Sequence, residues 1–173
     1  MEDTQMLNVI DLFSGCGGLS EGFRLAGFHI VGGVDFNAAA IKTYNHNFKG
    51  AKGICCDLLE MDKSQIVKDF GNLKDIDVII GGPPCQGFSA ANRWQKEKED
   101  PRNKLFFEFV KFVDLAKPKV VLIENVRGIV TNNKGYAKDR IYLEFCQKTP
   151  SITMGGDEWL FSEVLSVRTK KVF

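Results

Sequence analysis

Short apolar runs alternate with helical patterns along this chain, and that alternation constrains the fold more than any other feature. Leu7-Asn8-Val9-Ile10-Asp11-Leu12-Phe13 is a β-rich run that stops at the small-residue turn Ser14-Gly15-Cys16-Gly17-Gly18. Leu19, Phe23 and Ala26 then recur at helical spacing until Gly27, a stop signal. Residues 28–34 form a second strand-like run closed by Asp35 and Phe36. Asn37 is placed to cap a helix over residues 38–48, with Ala40, Ile41 and Tyr44 on its buried side. A short strand over residues 53–56 leads to Asp57, a helix is expected over 64–70, and the buried run 77–80 enters Gly81-Gly82-Pro83-Pro84-Cys85. A strongly apolar helix over 105–116 stops at Lys117-Pro118, and Val120–Ile123 is a further buried strand ending in Glu124-Asn125. Such an order calls for right-handed βαβ units and a mostly parallel sheet with helices on both faces, the α/β class.

The pattern weakens beyond about residue 128. Residues 139–148 and 157–168 have helical character, separated by Thr149-Pro150-Ser151 and Gly155-Gly156, and no convincing strand follows. The sheet is therefore expected to be unfinished. The division is into 1–128, a ligand-binding and catalytic region, and 129–173, a divergent helical tail. A fragment or one piece of a split protein fits that pattern.

Length and composition narrow the function. At 173 residues the chain suits one domain, and 44% hydrophobic with 26% charged residues excludes disorder and fibrous repeats. The net charge of +1 supplies no global basic field, so a nucleic-acid partner needs a local patch. The longest apolar runs fall far short of the roughly 20 residues of a membrane span, and the acidic start Met1-Glu2-Asp3 is unlike a secretory signal. Five cysteines, an odd number without C-x-x-C spacing, argue against a disulfide framework, and His29 and His46 stand away from any cysteine pair, against structural zinc. The expectation is a soluble intracellular protein without a metal.

Ligands of open α/β sheets bind beyond the carboxyl ends of the strands, and four clusters fall there: residues 13–18, Asp35-Phe36, Pro84-Cys85 and Glu124-Asn125. Glycines 15, 17 and 18 let backbone approach a ligand before a helix N-terminus, although a tight structural turn reads the same way. Ser20 stands where the dinucleotide fingerprint G-x-G-x-x-G has its last glycine. Asp35, at the tip of the second strand, is placed to accept from ribose hydroxyls. Phe36 suits either stacking on an adenine or plain core. Asp57 suits either the adenine amino group or a cap. Together they describe an adenosine-type cofactor. Cys85, on a turn stiffened by two prolines, has the setting of a presented thiol, whereas Cys55, Cys56 and Cys146 read as inert buried packing and Cys16 as cofactor wall. Glu124 ends an apolar strand, where a carboxylate is costly unless paired or used.

Phe13-Ser14-Gly15-Cys16-Gly17-Gly18, Pro84-Cys85-Gln86 and Glu124-Asn125-Val126 stand in order with Asp35 and Asp57 between them. The ordered set, over roughly residues 8 to 128, closely resembles the DNA cytosine-5 methyltransferase family. The resemblance implies a Rossmann-like methyltransferase fold and an S-adenosylmethionine cofactor, with S-adenosylhomocysteine as product. It places the cofactor on the turn of Phe13, Ser14, Gly15, Cys16, Gly17 and Gly18, with Asp35 at the ribose, Phe36 and Asp57 at the adenine, and Pro84 and Leu105 as further contacts. It makes Cys85 the nucleophile at C6 of cytosine, Glu124 the group near N3, and Asn125 a support. It implies double-stranded DNA with a flipped cytosine as partner, touched by Gln86, Ser89, Arg93, Lys96 and Arg102, and a bacterial cytoplasmic, restriction–modification setting. The stretch from 90 to 104 carries a small positive excess that fits phosphate contact or an exposed mixed-charge loop equally.

The family's later strands, its Gln-x-Arg-x-Arg element, its target-recognition domain and its late Gly-Asn segment are not recognisable after Ile129. A complementary polypeptide is therefore an expected partner. Competing readings are a cofactor- or partner-binding module without turnover, an RNA cytosine methyltransferase, and an NAD-type dehydrogenase, against which Ser20 and the Pro-Pro-Cys turn count.

Overall fold

The computed structural model describes residues 6–61, 63–84 and 104–125. The elements run β1 (Asn8–Leu12), α1 (Gly18–Leu25), β2 (His29–Asp35), α2 (Ala38–Asn47), β3 (Lys52–Cys55), α3 (Lys63–Phe70), a 3₁₀ turn (Leu73–Asp75), β4 (Val78–Gly81), α4 (Lys104–Ala116) and β5 (Val120–Ile123). The five strands are all parallel, in the order β3-β2-β1-β4-β5. The 3₁₀ turn was not visible in the periodicity; the other elements stand within a residue or two of the expected bounds.

The order turns around between β1 and β4, because β2 and β3 extend to one side of β1 while β4 and β5 extend to the other. That reversal opens a crevice at the carboxyl ends of the two strands. Leu12 of β1 pairs with Gly81 of β4 there. A Cβ on Gly81 would lie 2.1 Å from the Leu12 carbonyl oxygen, so only glycine lets the two strand ends close on each other.

Side chains of a strand alternate between faces, and in a sheet covered on both sides both sets are apolar. Val78 and Ile80 join Val9, Ile30, Ile41, Tyr44 and Phe48 in one core, against α2. Ile79, between them, joins Ile10, Leu12 and Val34 with Phe70, Phe106, Phe109 and Phe112 in the other, against α3 and α4. Helix α4 buries Phe106, Phe109, Val110, Phe112, Val113 and Ala116, the i, i+3, i+4, i+7 set of one helical face. Helix α2 begins where Asn37 accepts the Ala39 and Ala40 amides at 3.0 and 3.1 Å, the expected cap. It buries Ile41 and Tyr44, and Ala40 is only half-buried.

Candidate active site

Every strand carries a candidate group just past its carboxyl end, and the sheet order arranges them along one edge. Asp57 follows β3, Asp35 and Phe36 end β2, residues 13–18 follow β1, Pro83 and Pro84 follow β4, and Glu124 and Asn125 follow β5. Of the groups expected at the cofactor, residues 13–18, Asp35, Phe36 and Asp57 stand at the ends of β1, β2 and β3, on one side of the strand-order reversal, whereas Pro84 follows β4 and Leu105 lies in the first turn of α4. Glu124 and Asn125 stand past β5. Cys85, Gln86, Ser89, Arg93, Lys96 and Arg102 lie outside the described residues, as does the tail from 126 onward.

The turn after β1 is built from left-handed backbone. Phe13 has φ 63, Gly15 has φ 54 and Gly17 has φ 97. Left-handed geometry is disfavoured for a phenylalanine and marks a segment held by its surroundings. The holding bonds run from Ser14 N–H to the Val34 carbonyl at 3.0 Å, from Gly17 N–H to the Ser14 carbonyl at 2.9 Å, and from Gly15 N–H to Asp35 Oδ2 at 2.8 Å. The other Asp35 oxygen accepts Asn37 N–H at 2.8 Å. One carboxylate thus joins the turns after β1 and β2, and each oxygen keeps a further lone pair.

The residues fit an adenosine-type ligand. Added Cβ atoms at Gly15 and Gly18 would meet nothing within 4 Å, so the turn presents bare backbone to open space. The buried Ser14 Oγ has no hydrogen-bond partner among the described residues. Phe36 is 74% exposed, which excludes the core alternative and leaves a bare aromatic face beside Asp35. Asp57 Oδ1 accepts Leu59 N–H at 3.0 Å, so it caps its own turn and not α3, which starts at Lys63. Leu105 is half-buried in the first turn of α4, outside the core to which its neighbour Phe106 belongs.

On the other side of the crevice, β4 and β5 are tied together past their ends. Glu124 N–H donates to the Gly81 carbonyl at 2.9 Å, and Asn125 Nδ2 donates to the Pro83 carbonyl at 2.9 Å. A Cβ on Gly82 would stand 3.1 Å from Glu124 Oε2, so the carboxylate lies over this glycine. Two proline rings then fix φ in the last two residues before Cys85. Glu124 is exposed although it ends an apolar strand, because β5 is the edge strand of the described sheet, so its carboxylate does not bear the cost of burial. Cys55 also departs from expectation. It is exposed rather than packed, and Cys56 is half-buried, because β3 forms the opposite edge. The Cys55 thiol contacts the Phe36 carbonyl at 3.6 Å. Cys16 is exposed on the glycine turn.

Comparison with known proteins decides the family. The profile of the C-5 cytosine-specific DNA methylases matches residues 7–148. The chain belongs to that family. The methylases most like it include the type II methyltransferase M.DdeI of Desulfomicrobium norvegicum, 41% identical over 142 residues, which cover 80% of this chain and 33% of M.DdeI. The type II methyltransferase M.AquIA of Picosynechococcus is 34% identical over 156 residues, covering 89% of this chain and 61% of M.AquIA. The chain thus spans about a third of the first of these methylases and under two thirds of the second. Among solved structures, a protein described as a prophage-encoded DNA modification methyltransferase of E. coli superposes with a TM-score of 0.65 at 37% identity, over 82% of this chain and 38% of its own. The DNMT2 of Spodoptera frugiperda superposes at 0.57 and 26% identity, over 82% and 41%. The expected methyltransferase fold is present. No helix among the described residues is long and apolar enough to cross a membrane.

Three residues of the site escaped the sequence reading. Asp11, Ser20 and Tyr44 form a buried hydrogen-bonded group under the glycine turn. A signal existed for the first, since an aspartate inside an apolar strand raises the same question as Glu124. Ser20, noted only as a departure from the dinucleotide fingerprint, points inward to Asp11.

Proposed function

We propose that this chain is the cofactor-binding and catalytic part of an enzyme that transfers a methyl group from S-adenosylmethionine to C5 of cytosine in double-stranded DNA. One observation carries the reading: the described residues that match the family's motifs stand at or just past the ends of five adjacent parallel strands, on both sides of the point where the strand order reverses.

In this reading residues 13–18 cradle the cofactor, Asp35 accepts from the ribose, Phe36 lies against the adenine, Asp57 accepts its amino group through the oxygen not used by Leu59, and Pro84 and Leu105 close the pocket. When bound, S-adenosylmethionine supplies an electrophilic methyl carbon. C5 of cytosine is a poor nucleophile, so the chain must first activate the ring. The Cys85 thiolate adds to C6, forming a C–S bond and pushing the ring electrons toward C5. Glu124 holds or protonates the ring at N3, which makes C6 more electrophilic. Methyl transfer to C5 would break the methyl–sulfur bond and leave S-adenosylhomocysteine; the C5 proton would then pass to solvent, and its bonding pair would restore the C5–C6 double bond and expel the Cys85 thiolate. Asn125 contributes by fixing the Pro83 carbonyl, two residues before the nucleophile.

The cytosine must leave the duplex to enter such a crevice, at a cost of about a few kcal/mol. Gln86, Ser89, Arg93, Lys96 and Arg102 are proposed to contact DNA. Target selection and full activity require sequence beyond the catalytic half, whether in the same polypeptide or in a complementary one. A cytoplasmic restriction–modification role follows from this reading.

The test is covalent capture of duplex DNA carrying 5-fluorocytosine, in which the C5 fluorine cannot leave as a proton does. The complete natural protein, with any complementary polypeptide, is expected to form a capture product that withstands denaturation, and Cys85→Ser is expected to form none while binding S-adenosylhomocysteine normally. Equal capture by the variant would refute the role of Cys85. Cofactor binding without capture by the complete protein would favour a module without turnover.

A further inference from the structure

Asp11, the fourth residue of β1, is a carboxylate only 1% exposed, and the chemistry proposed above does not use it. Its Oδ2 accepts the Ser20 backbone N–H at 3.2 Å and the Ser20 hydroxyl at 2.6 Å. Ser20 Oγ lies 3.1 Å from the Tyr44 hydroxyl. A serine hydroxyl has one proton, so with Asp11 ionised the chain runs one way: Tyr44 donates to Ser20, and Ser20 to Asp11.

The need for this group follows from Gly17. It occupies the N-cap of α1, and a glycine has no side chain to accept the amides of the first turn. A larger residue is barred there, since a Cβ would lie 2.3 Å from Phe48 Cε2. Ser20, three residues on, carries one of the amides that a cap side chain ordinarily holds. Asp11 accepts that amide from the neighbouring strand, so the helix that follows the glycine turn is fixed to β1 and not to its own cap.

Tyr44 spreads the support further. Cβ atoms on Gly17, Gly33 and Gly53 would lie 3.0, 2.8 and 2.9 Å from its ring. Those glycines stand in the turn after β1, two residues before Asp35, and four residues before Asp57. One ring therefore sets the spacing of the three segments assigned to the cofactor.

We propose that Asp11, Ser20 and Tyr44 act together as a proton-sensitive positioning unit that holds the glycine turn in its cofactor-binding geometry, an inference that rests on the cofactor reading of that turn. The groups acting on Asp11 are Ser20 of α1, Tyr44 of α2 and the Asp35 carboxylate of β2. Val78 and Ile80 of β4 join the same core and are apolar. On α1, Glu21 and Arg24 pair with each other at the surface, and on α2, Lys42 and His46 are exposed. Burial pushes the Asp11 carboxyl up to about 7, against the pull of the two Ser20 hydrogen bonds. The carboxyl therefore changes state near neutral pH. Once protonated, it holds the Ser20 donors less firmly and the first turn of α1 loosens from β1.

The experiment is calorimetric titration of the complete natural protein with S-adenosylhomocysteine between about pH 6 and pH 8. Wild-type affinity is expected to fall by about fivefold or more on acidification across that range. Asp11→Asn, which keeps the shape without the titrating proton, is expected to bind with one affinity throughout. Tyr44→Phe keeps the ring and removes the donor that helps Ser20 stabilise the carboxylate, so its midpoint is expected at higher pH. A wild-type affinity independent of pH overturns the proposal, as does Asp11→Asn with the wild-type pH dependence. Should Asp11→Asn not fold, an unmoved midpoint in Tyr44→Phe overturns it equally. A wild type that binds no S-adenosylhomocysteine at any pH overturns the cofactor reading itself, a result distinct from binding without a pH step.

Discussion

The Gly15 N–H donates to Asp35 Oδ2 across 2.8 Å, so the last residue of β2 fixes the turn that follows β1. The same carboxylate holds the Asn37 amide at the start of α2 through its other oxygen. Asp35→Ala removes both ties along with the acceptor proposed for the ribose. Charge-assisted hydrogen bonds of this kind contribute more than neutral ones, and the variant is expected to bind S-adenosylhomocysteine more weakly by roughly 1–3 kcal/mol. Calorimetry measures this directly, and an unchanged affinity would remove Asp35 from the site.

Two glycines of the turn are expected to answer differently to the same substitution. Gly15 has φ 54 and open space around an added Cβ, so alanine there costs only the left-handed backbone, roughly 1–2 kcal/mol. Gly17 has φ 97, and its added Cβ would lie 2.3 Å from the ring of Phe48, itself buried and stacked 4.6 Å from Tyr44. The ring cannot retreat without displacing Tyr44, so overpacking adds to the backbone cost and the total is expected at about 2–5 kcal/mol. Urea midpoints compare the two variants, and a Gly17→Ala protein no less stable than Gly15→Ala would contradict the packing described for Phe48.

Asn125 tests whether the far side of the crevice is positioned through backbone. Its Nδ2 donates to the Pro83 carbonyl at 2.9 Å, two residues before Cys85. Asn125→Ala leaves the glycine turn and Asp35 untouched, so S-adenosylhomocysteine affinity is expected to stay within about twofold, whereas capture of 5-fluorocytosine DNA slows by about tenfold or more, since small misplacements of a nucleophile are costly. Equal losses in both measurements would mean that Asn125 supports the fold generally and has no selective effect on the β4 loop.

The parts of the fold legible in the sequence were those fixed by local rules. Strand ends were marked by Gly-Gly and Pro-Pro, the α2 start by Asn37, and α4 by a strongly apolar run that stops at Lys117-Pro118. What escaped depended on which strand neighbours which. Cys55 was expected to be packed, and Glu124 to need a partner or a use at the end of an apolar strand, yet both strands lie at the edges of the described sheet, which a linear pattern does not reveal. Asp11, Ser20 and Tyr44 are separated by nine and twenty-four residues, and only the packing of α1 and α2 on one face brings them together. Ser20 was read as a mismatch to one fingerprint when its side chain was answering a need created by Gly17.

The pH dependence of stability offers a check on Asp11 that requires no cofactor. Its carboxyl ionises near 3.8 when the chain is unfolded and near 7 when folded, because burial disfavours the charged form. Between those values the folded protein binds more protons than the unfolded one, so this group makes stability fall as pH rises from about 4 to 7, by on the order of a few kcal/mol in all. Asp69 and Asp77 are held below the ordinary carboxylate range, by Lys52 and Lys119 respectively, so their contributions change below that window, and Tyr44, pushed up to about 12, changes above it. Asp11→Asn keeps an oxygen to accept from Ser20 and lacks the titrating proton. The difference in unfolding free energy between variant and wild type, followed by urea denaturation across pH 4 to 8, is therefore expected to shift in favour of the variant as pH rises and to level off above about pH 7. A difference that stays constant over this range would show that Asp11 does not change protonation there, and would place its role in geometry alone.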